Sequence, residues 1–103
     1  MFNFFGNDIN SGVKEFNAQK NAVLLDVRTR EEFEEGHIPK SVNLPLDEIQ
    51  KIEELVKDKN TKIYTYCYSG ARSADATRKL NFLGYVNTEN IGGIASYKGE
   101  IER

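Results

Sequence analysis

The sequence contains a single cysteine, Cys67, in a setting that could make its sulfur a nucleophile. The thiolate is the reactive form of cysteine, and its ordinary pKa near ~8.5 leaves little of it at neutral pH. Backbone N–H groups that converge in a tight loop or at a helix N-terminus stabilise a negative sulfur. Gly70 permits the backbone torsions of such a loop, and Arg72 adds a permanent positive charge at the predicted helix start. We therefore predict that Cys67 reacts as a thiolate.

The segment that follows Cys67 is the candidate binding site. Its backbone N–H groups, with the hydroxyls of Ser69 and Ser73, are possible donors to the sulfur. The candidate residues are Tyr68, Ser69, Gly70, Ala71, Arg72 and Ser73. The competing interpretation is an inert thiol, because a lone cysteine in a small domain is usually a buried hydrophobe. The position of Cys67 after a predicted strand and before a loop and a helix favours the nucleophile.

The composition limits the classes of function that remain. A chain of 103 residues predicts one small domain, 1–103. Its net charge of −2 predicts a surface without a strong positive or negative electrostatic field. A nucleic acid or a membrane is therefore not an expected partner. One cysteine and one histidine cannot form a disulfide or a common structural zinc site, so we expect no metal. Because no apolar stretch approaches ~20 residues and the N-terminus lacks a basic region, we expect a reducing, cytoplasmic setting.

Predicted strands and helices alternate along the chain. The segment 22–27 is almost continuously apolar, and 62–66 is rich in β-branched and aromatic residues, which is typical of strands in a covered sheet. Thr29 and Glu32 have the spacing of a capping box, which predicts a helix that ends near Gly36. Further helices are predicted over 11–19, over 47–56 with Asp47 and Gln50 as candidate caps, over 71–83 and over 94–98, and further strands over 41–44 and 86–91. This order predicts an α/β fold with a central, mainly parallel sheet and helices on both faces.

Sheets of this kind carry their chemistry beyond the carboxyl ends of the strands. Cys67 follows one predicted strand, and Asp26 and Arg28 flank the end of another. We interpret Asp26 and Arg28 as an ion pair that fixes the turn after the strand. We interpret His37 as a hydrogen-bonding partner of the backbone rather than a base, and Tyr68 as a residue at the pocket entrance.

The other aromatic residues are interpreted as structural. Tyr64 and Tyr66 are two positions apart on a predicted strand, so both should pack on one face of the sheet. The N-terminal Phe2, Phe4 and Phe5 are expected to pack under the sheet or to form a first edge strand.

Several motifs of the chain, taken in order, resemble those of rhodanese domains. The segment 66–73 is similar to the family's active-site loop, of the form Cys-x-x-Gly-x-Arg-Ser. The segments 25–28, 32–33, 36–39 and 42–45 resemble the family's other main signature, and 90–94 resembles its glycine pair before the last helix. The sequence departs from the family pattern at Lys40, where glycine is common, and at Tyr97, where tryptophan is common.

The resemblance implies sulfane-sulfur transfer by a small α/β domain. Cys67 would attack the outer sulfur of a small donor, thiosulfate or a persulfide, and would become a persulfide. A thiophilic acceptor, such as cyanide, a cellular thiol or a protein thiol, would then take the sulfur in a ping-pong reaction. The backbone of 68–73 would hold the sulfur and Arg72 would bind an anionic donor, so no cofactor is expected.

Two alternatives remain open. Cysteine phosphatases and arsenate reductases use a similar loop with a Cys-x5-Arg pattern, whereas four residues separate Cys67 from Arg72. The shorter loop should bring its backbone N–H groups closer together. The space between them should then fit one persulfide sulfur better than a tetrahedral oxyanion. The second alternative is a sulfur carrier or an interaction module without free turnover.

Overall fold

A computed structural model describes residues 8–103, so Phe2, Phe4 and Phe5, with the packing predicted for them, lie outside the described residues. The strands are β1 (Val23–Asp26), β2 (Val42–Asn43), β3 (Ile63–Cys67) and β4 (Thr88–Gly93). The helices are α1 (Ile9–Asn17), α2 (Arg30–Glu35), α3 (Ile52–Leu55) and α4 (Ala71–Phe82), with 3₁₀ turns at Leu46–Lys51 and Ile94–Ser96. Within residues 8–103, none of the helices combines the length and the hydropathy that a membrane span requires.

The four strands form one sheet in the order β2–β1–β3–β4, and every neighbouring pair is parallel. Parallel neighbours need a crossover connection, which α2 supplies between β1 and β2, α3 between β2 and β3, and α4 between β3 and β4. All the residues of β3 are buried, as expected for an interior strand covered on both faces. The predicted α/β fold with a parallel sheet is therefore confirmed.

Hydrophobic clusters cover both faces of this sheet. On one face, α3 and α4 contribute Ile52, Ala76 and Leu80, which pack against the strands with Cys67. On the other face, α1 packs against β1, β3 and β4, and its buried residues are Ile9, Val13 and Phe16. Tyr64 and Tyr66 both belong to this second cluster and are fully buried, which confirms their structural interpretation.

Two helix starts are fixed by side-chain caps. The capping box predicted for α2 is confirmed, because Thr29 Oγ1 accepts from Glu32 N at 3.2 Å and Glu32 Oε1 accepts from Thr29 N at 3.0 Å. The start of α1 was predicted too late in the chain. Asp8 Oδ1 accepts from Asn10 N at 3.0 Å and so acts as the N-cap, and α1 begins at Ile9.

The caps predicted at Asp47 and Gln50 were wrong. The chain forms a 3₁₀ turn over Leu46–Lys51 before α3, since Glu48 has non-helical torsions of φ −118° and ψ 16°. Neither the turn nor α3 begins with a side-chain cap. The predicted apolar stripe is nevertheless buried, at Ile49, Ile52 and Val56.

The position of β4 also differs from the prediction over 86–91. The strand pairs with β3 from Thr88 to Gly93, and the register shifts by one residue between Thr65 and Tyr66. This irregularity brings Gly93 directly opposite Cys67. The glycine pair therefore lies at the carboxyl end of the sheet, beside the candidate nucleophile.

Lys40 occupies the turn before β2 with a φ of 74°. This left-handed region costs a residue other than glycine roughly 1–2 kcal/mol. The turn thus keeps the backbone conformation that glycine adopts most readily, although lysine stands there.

Candidate active site

Cys67 is the last residue of the central strand β3, and its side chain is 1% exposed. The neighbouring strand β1 ends beside it, where Asp26 pairs with Tyr66. The chain then turns through 68–70 and enters α4 at Ala71. The sulfur consequently lies between the carboxyl end of a parallel sheet and the N-terminus of a helix, as predicted from the sequence.

The sulfur accepts hydrogen bonds from the first turn of α4. Gly70 N donates to Cys67 Sγ at 3.0 Å, and Ser73 N donates at 3.3 Å. Gly70 is the N-cap residue, with a left-handed φ of 107°, and it supplies no side-chain acceptor. Ser73 is the third residue of the helix, whose N–H is normally satisfied by an N-cap side chain. Cys67 Sγ therefore takes the place of the capping acceptor of α4.

Two opposing effects determine the pKa of Cys67. Burial raises the pKa of the thiol, because it disfavours the charged form. Hydrogen bonds from the Ser73 hydroxyl and from the backbone of Ser73, Gly70 and Ser69 favour the thiolate and lower the pKa. The hydrogen bonds outweigh burial, so the pKa of Cys67 lies below its ordinary value. The thiol is thereby activated without a neighbouring base.

The Ser73 hydroxyl links the sulfur to Asn90, a residue of the 90–94 motif for which no contact with the site was predicted. Ser73 Oγ lies 3.5 Å from Cys67 Sγ and 2.7 Å from Asn90 Oδ1. Asn90 Oδ1 also accepts from Gly92 N at 3.0 Å, and Asn90 Nδ2 donates to Gly70 O at 3.2 Å. Asn90 thus joins β4 to the loop and competes with the sulfur for the one Ser73 hydroxyl proton.

We predict that Ser73→Ala raises the pKa of Cys67, because it removes one donor to the thiolate while keeping the Ser73 backbone N–H. The measurement is the rate of alkylation by iodoacetamide as a function of pH, whose midpoint should move upwards. Loss of the buried hydroxyl should also lower the free energy of unfolding by about 1 kcal/mol.

Ser69→Ala is the matched control for this prediction. The sequence indicated the Ser69 hydroxyl as a possible donor, yet among the described residues only its backbone N–H contributes to the pKa of Cys67. The Ser69→Ala midpoint should therefore equal that of the wild type. Equal midpoints for Ser73→Ala and the wild type would contradict the role given to the Ser73 hydroxyl.

The Arg72 guanidinium is bound by the carboxylate of Glu32. Arg72 Nη1 and Nη2 donate to Glu32 Oε1 and Oε2 at 2.8 and 3.0 Å, in a two-point pair that joins α4 to α2. Arg72 and Lys79 of α4 also line a depression of about 320 Å³, together with Thr29, which caps α2, and Leu46. The binding of an anionic donor by Arg72 stays a prediction, and the contact to Glu32 was not anticipated from the sequence.

Close backbone packing fixes the loop from the side of β4. A Cβ placed on Gly93 would overlap the Tyr68 carbonyl oxygen and lie 2.6 Å from Ser69 Cα. Ala95 N donates to the same Tyr68 oxygen at 3.1 Å. The Tyr68 side chain is 56% exposed and lies outside this packed region. Gly93 therefore allows the loop to approach the strand closely, a role that the sequence motif alone did not reveal.

Asp26 and Arg28 form the ion pair interpreted from the sequence. Arg28 Nη2 and Nε donate to Asp26 Oδ2 and Oδ1 at 2.7 and 3.0 Å, and both side chains are buried. Arg28 Nη2 also donates to Gly36 O at 2.8 Å, which ties the end of β1 to the end of α2. Burial lowers the pKa of Arg28, but the pair with Asp26 raises it by more. The net pKa is therefore above the ordinary value, and the guanidinium stays charged.

His37 also has the structural role expected of it. Its Nδ1 lies 2.8 Å from Phe33 O, and its ring stacks on the Phe33 ring with 3.7 Å between centroids. Among residues 8–103, no group of three or more His, Cys, Asp and Glu side chains is arranged to hold a metal ion.

Comparison with known proteins identifies relatives of the whole described region. The sequence model of the family described as "Rhodanese-like domain" matches residues 11–100. The thiosulfate sulfurtransferase PspE of Escherichia coli is 37% identical over 71 residues, which cover 68% of this chain and 68% of that protein. The adenylyltransferase and sulfurtransferase uba4 of Ogataea parapolymorpha is 32% identical over 102 residues, which cover 98% of this chain but only 26% of that protein.

The fold has a counterpart among solved structures. A structure described as a rhodanese with anions from E. coli superposes with a TM-score of 0.74 and is 31% identical. The match covers 80% of this chain and 98% of that chain.

Proposed function

The chain belongs to the rhodanese-like domain family, and on that premise we propose that it transfers sulfane sulfur through a persulfide on Cys67. The observation that carries the proposal is the hydrogen bonding of Cys67 Sγ by Gly70 N and Ser73 N. These groups lower the pKa of the thiol and stay in place for a second sulfur that carries negative charge. A persulfide anion is stabilised by hydrogen-bond donors such as these backbone amides, and its formation from a thiolate requires no general base.

The first half of the reaction loads the protein with sulfur. Cys67 thiolate attacks the outer sulfur of thiosulfate, a new S–S bond forms, and the bond between the outer sulfur and the sulfonate sulfur breaks. Sulfite leaves with the electron pair of that bond, and Cys67 becomes a persulfide anion. With an organic persulfide as donor, the leaving group is the corresponding thiolate.

The second half returns the sulfur to an acceptor. A thiolate or cyanide attacks the terminal sulfur of the persulfide, and Cys67 leaves as the thiolate, so the protein ends as it began. Cys67 is the one cysteine of this sequence, so the acceptor is an external thiol or cyanide rather than a second cysteine of this chain. A protein thiol is included among these acceptors, and we place the reaction in a reducing, cytoplasmic setting, where thiol acceptors stay reduced.

Intact mass spectrometry tests the proposal directly. Incubation with thiosulfate or with glutathione persulfide should raise the mass of the protein by one sulfur atom, and addition of cyanide or a thiol should reverse the increase. Cys67→Ser is the control, because it keeps the size of the side chain and removes the nucleophilic sulfur. It should gain no mass under the same conditions.

The possible outcomes separate this proposal from the alternatives. An unchanged wild-type mass with both donors would contradict transfer and favour an interaction module. A stable increase that no acceptor reverses would indicate a carrier without turnover. Substantial turnover of an aryl phosphate by the wild type, lost in Cys67→Ser, would favour a cysteine phosphatase.

A further inference from the structure

Glu32 is held in place to receive Arg72. The two side chains form a two-point ion pair, at 2.8 and 3.0 Å, between residues that are forty positions apart in sequence. Glu32 is also the third residue of α2, and its carboxylate accepts from Thr29 N at 3.0 Å and from Thr29 Oγ1 at 3.1 Å. The capping box therefore holds the carboxylate in the orientation that binds Arg72. The two side chains are about one-third exposed, yet the geometry of their pair is well defined.

The pair changes the charge beside the helix turn that binds Cys67 Sγ. Arg72 lies close enough to Cys67 for the negative sulfur to raise the arginine pKa, after the larger effect of the hydrogen bonds to Glu32. Arg72 lies in the first turn of α4, between Gly70 and Ser73, whose N–H groups donate to Cys67 Sγ, and Glu32 neutralises its charge. The bond to Arg72 is the main cause that lowers the pKa of Glu32 to about 2, so the carboxylate stays ionised throughout the neutral range. At Arg72, an incoming donor meets a neutral pair rather than a free guanidinium.

We propose that Glu32 is a specificity-determining residue that masks the charge of Arg72 and so favours sulfur donors of low charge, the persulfides of small thiols, over dianionic donors such as thiosulfate. This inference rests on the proposed sulfur transfer. A dianion gains most from a free guanidinium and is repelled most by a carboxylate beside it. To use Arg72, it must first displace Glu32 from a two-point pair. A small-thiol persulfide carries at most one negative charge, so it gains less from a free guanidinium and is repelled less by the carboxylate.

Glu32→Gln tests the inference, because glutamine can keep the capping box while it removes the negative charge. The ratio of kcat/KM for thiosulfate to kcat/KM for the persulfide of 2-mercaptoethanol should rise roughly tenfold, mainly through a lower KM for thiosulfate. The kcat/KM for this persulfide, which carries at most one negative charge, should stay within about twofold. The gain for thiosulfate should shrink at high salt, since free charges near the surface are screened.

Three further variants separate charge masking from a structural effect. Glu48→Gln removes the same charge from surface pairs with Arg30 and Lys51, and should leave the ratio unchanged. Thr29→Ala breaks the capping box and leaves the charge of Glu32, so it should lower stability more than it alters the ratio. In an Arg72→Gln background, Glu32→Gln should give no gain for thiosulfate, because there is no guanidinium to release.

The outcomes distinguish this inference from the proposed function. If wild-type Cys67 gains sulfur from the persulfide but Glu32→Gln leaves the donor ratio unchanged, the specificity role is wrong and sulfur transfer stands. Equal gains for both donors, or a gain that persists without Arg72, would also overturn it. If neither donor loads wild-type Cys67, the proposed function fails, and the inference fails with it.

Discussion

Gly93→Ala is expected to lower sulfur transfer by about a hundredfold or more, although Cys67 and all of its hydrogen-bond donors remain in the sequence. A Cβ at Gly93 would overlap the Tyr68 carbonyl oxygen and lie 2.6 Å from Ser69 Cα. Both neighbours are backbone, so the loop must move away from β4. Loss of a single preorganised hydrogen-bond donor lowers the rate of a reaction by a factor on the order of 10²–10³.

The displaced loop should also change Cys67 before any substrate is added. Gly70 N lies 3.0 Å from Cys67 Sγ and belongs to the turn that would shift. The pKa of Cys67 should therefore rise, because burial, which raises it, would be opposed by fewer donors. The measurements are kcat/KM with thiosulfate and the pH dependence of alkylation, compared with the wild type.

Gly99→Ala provides the matched control. The side chain that a Cβ would meet there is the hydroxyl end of Tyr97, which is only partly buried and can swing aside. This variant should keep the wild-type rate and the wild-type midpoint of alkylation. Wild-type activity in a folded Gly93→Ala protein would refute the view that close packing of β4 on the loop positions the donors.

The parts of the fold that follow local rules were predicted from the sequence. The apolar segment that became β1, the aromatic β3 and the Thr29–Glu32 capping box all depend on residues close together in the chain. The strand β4 was placed too early because its sequence, TENIGG, lacks the β-branched and apolar pattern of a strand. Its position is determined by pairing with β3 and by the shift between Thr65 and Tyr66, which are tertiary features.

The candidate site divides in the same way. Cys67 and its loop could be recognised from one continuous segment, because the strand end, the glycine and the helix start are adjacent. Glu32 could be recognised as a helix cap, but its bond to Arg72 spans two helices that only the folded sheet brings together. Asn90 belongs to the 90–94 motif, but a single asparagine in a polar stretch has no local pattern that links it to Ser73.

The dual role of the Cys67 sulfur connects stability with reactivity. It accepts the Ser73 backbone N–H that an N-cap side chain would otherwise bind, so the sulfur completes the first turn of α4. The helix N-terminus, with its partial positive charge, in turn stabilises the thiolate. The hydrogen bonds that activate the sulfur are thus the ones that the helix needs in order to begin at Ala71.

Asp26→Asn is expected to lower the free energy of unfolding by about 3–5 kcal/mol, because it leaves the charge of Arg28 buried without a counter-ion. Asp26 is fully buried, and its carboxylate accepts from the Arg28 backbone N–H as well as from the guanidinium. An asparagine would present an amide N–H₂ or a neutral oxygen to a group that only donates. The free energy of unfolding of small domains is about 5–15 kcal/mol, so the loss should appear as a large decrease of the urea midpoint.

Two variants control for the general effect of losing an ion pair. Glu48→Gln breaks the surface pairs with Arg30 and Lys51 and should cost less than about 1 kcal/mol. The double replacement Asp26→Leu with Arg28→Met removes both buried charges and should recover much of the stability that Asp26→Asn loses, since the uncompensated charge is gone. A loss in Asp26→Asn no larger than that in Glu48→Gln would mean that water reaches Arg28 at the end of β1, and that the buried pair does not hold this end of the sheet in place.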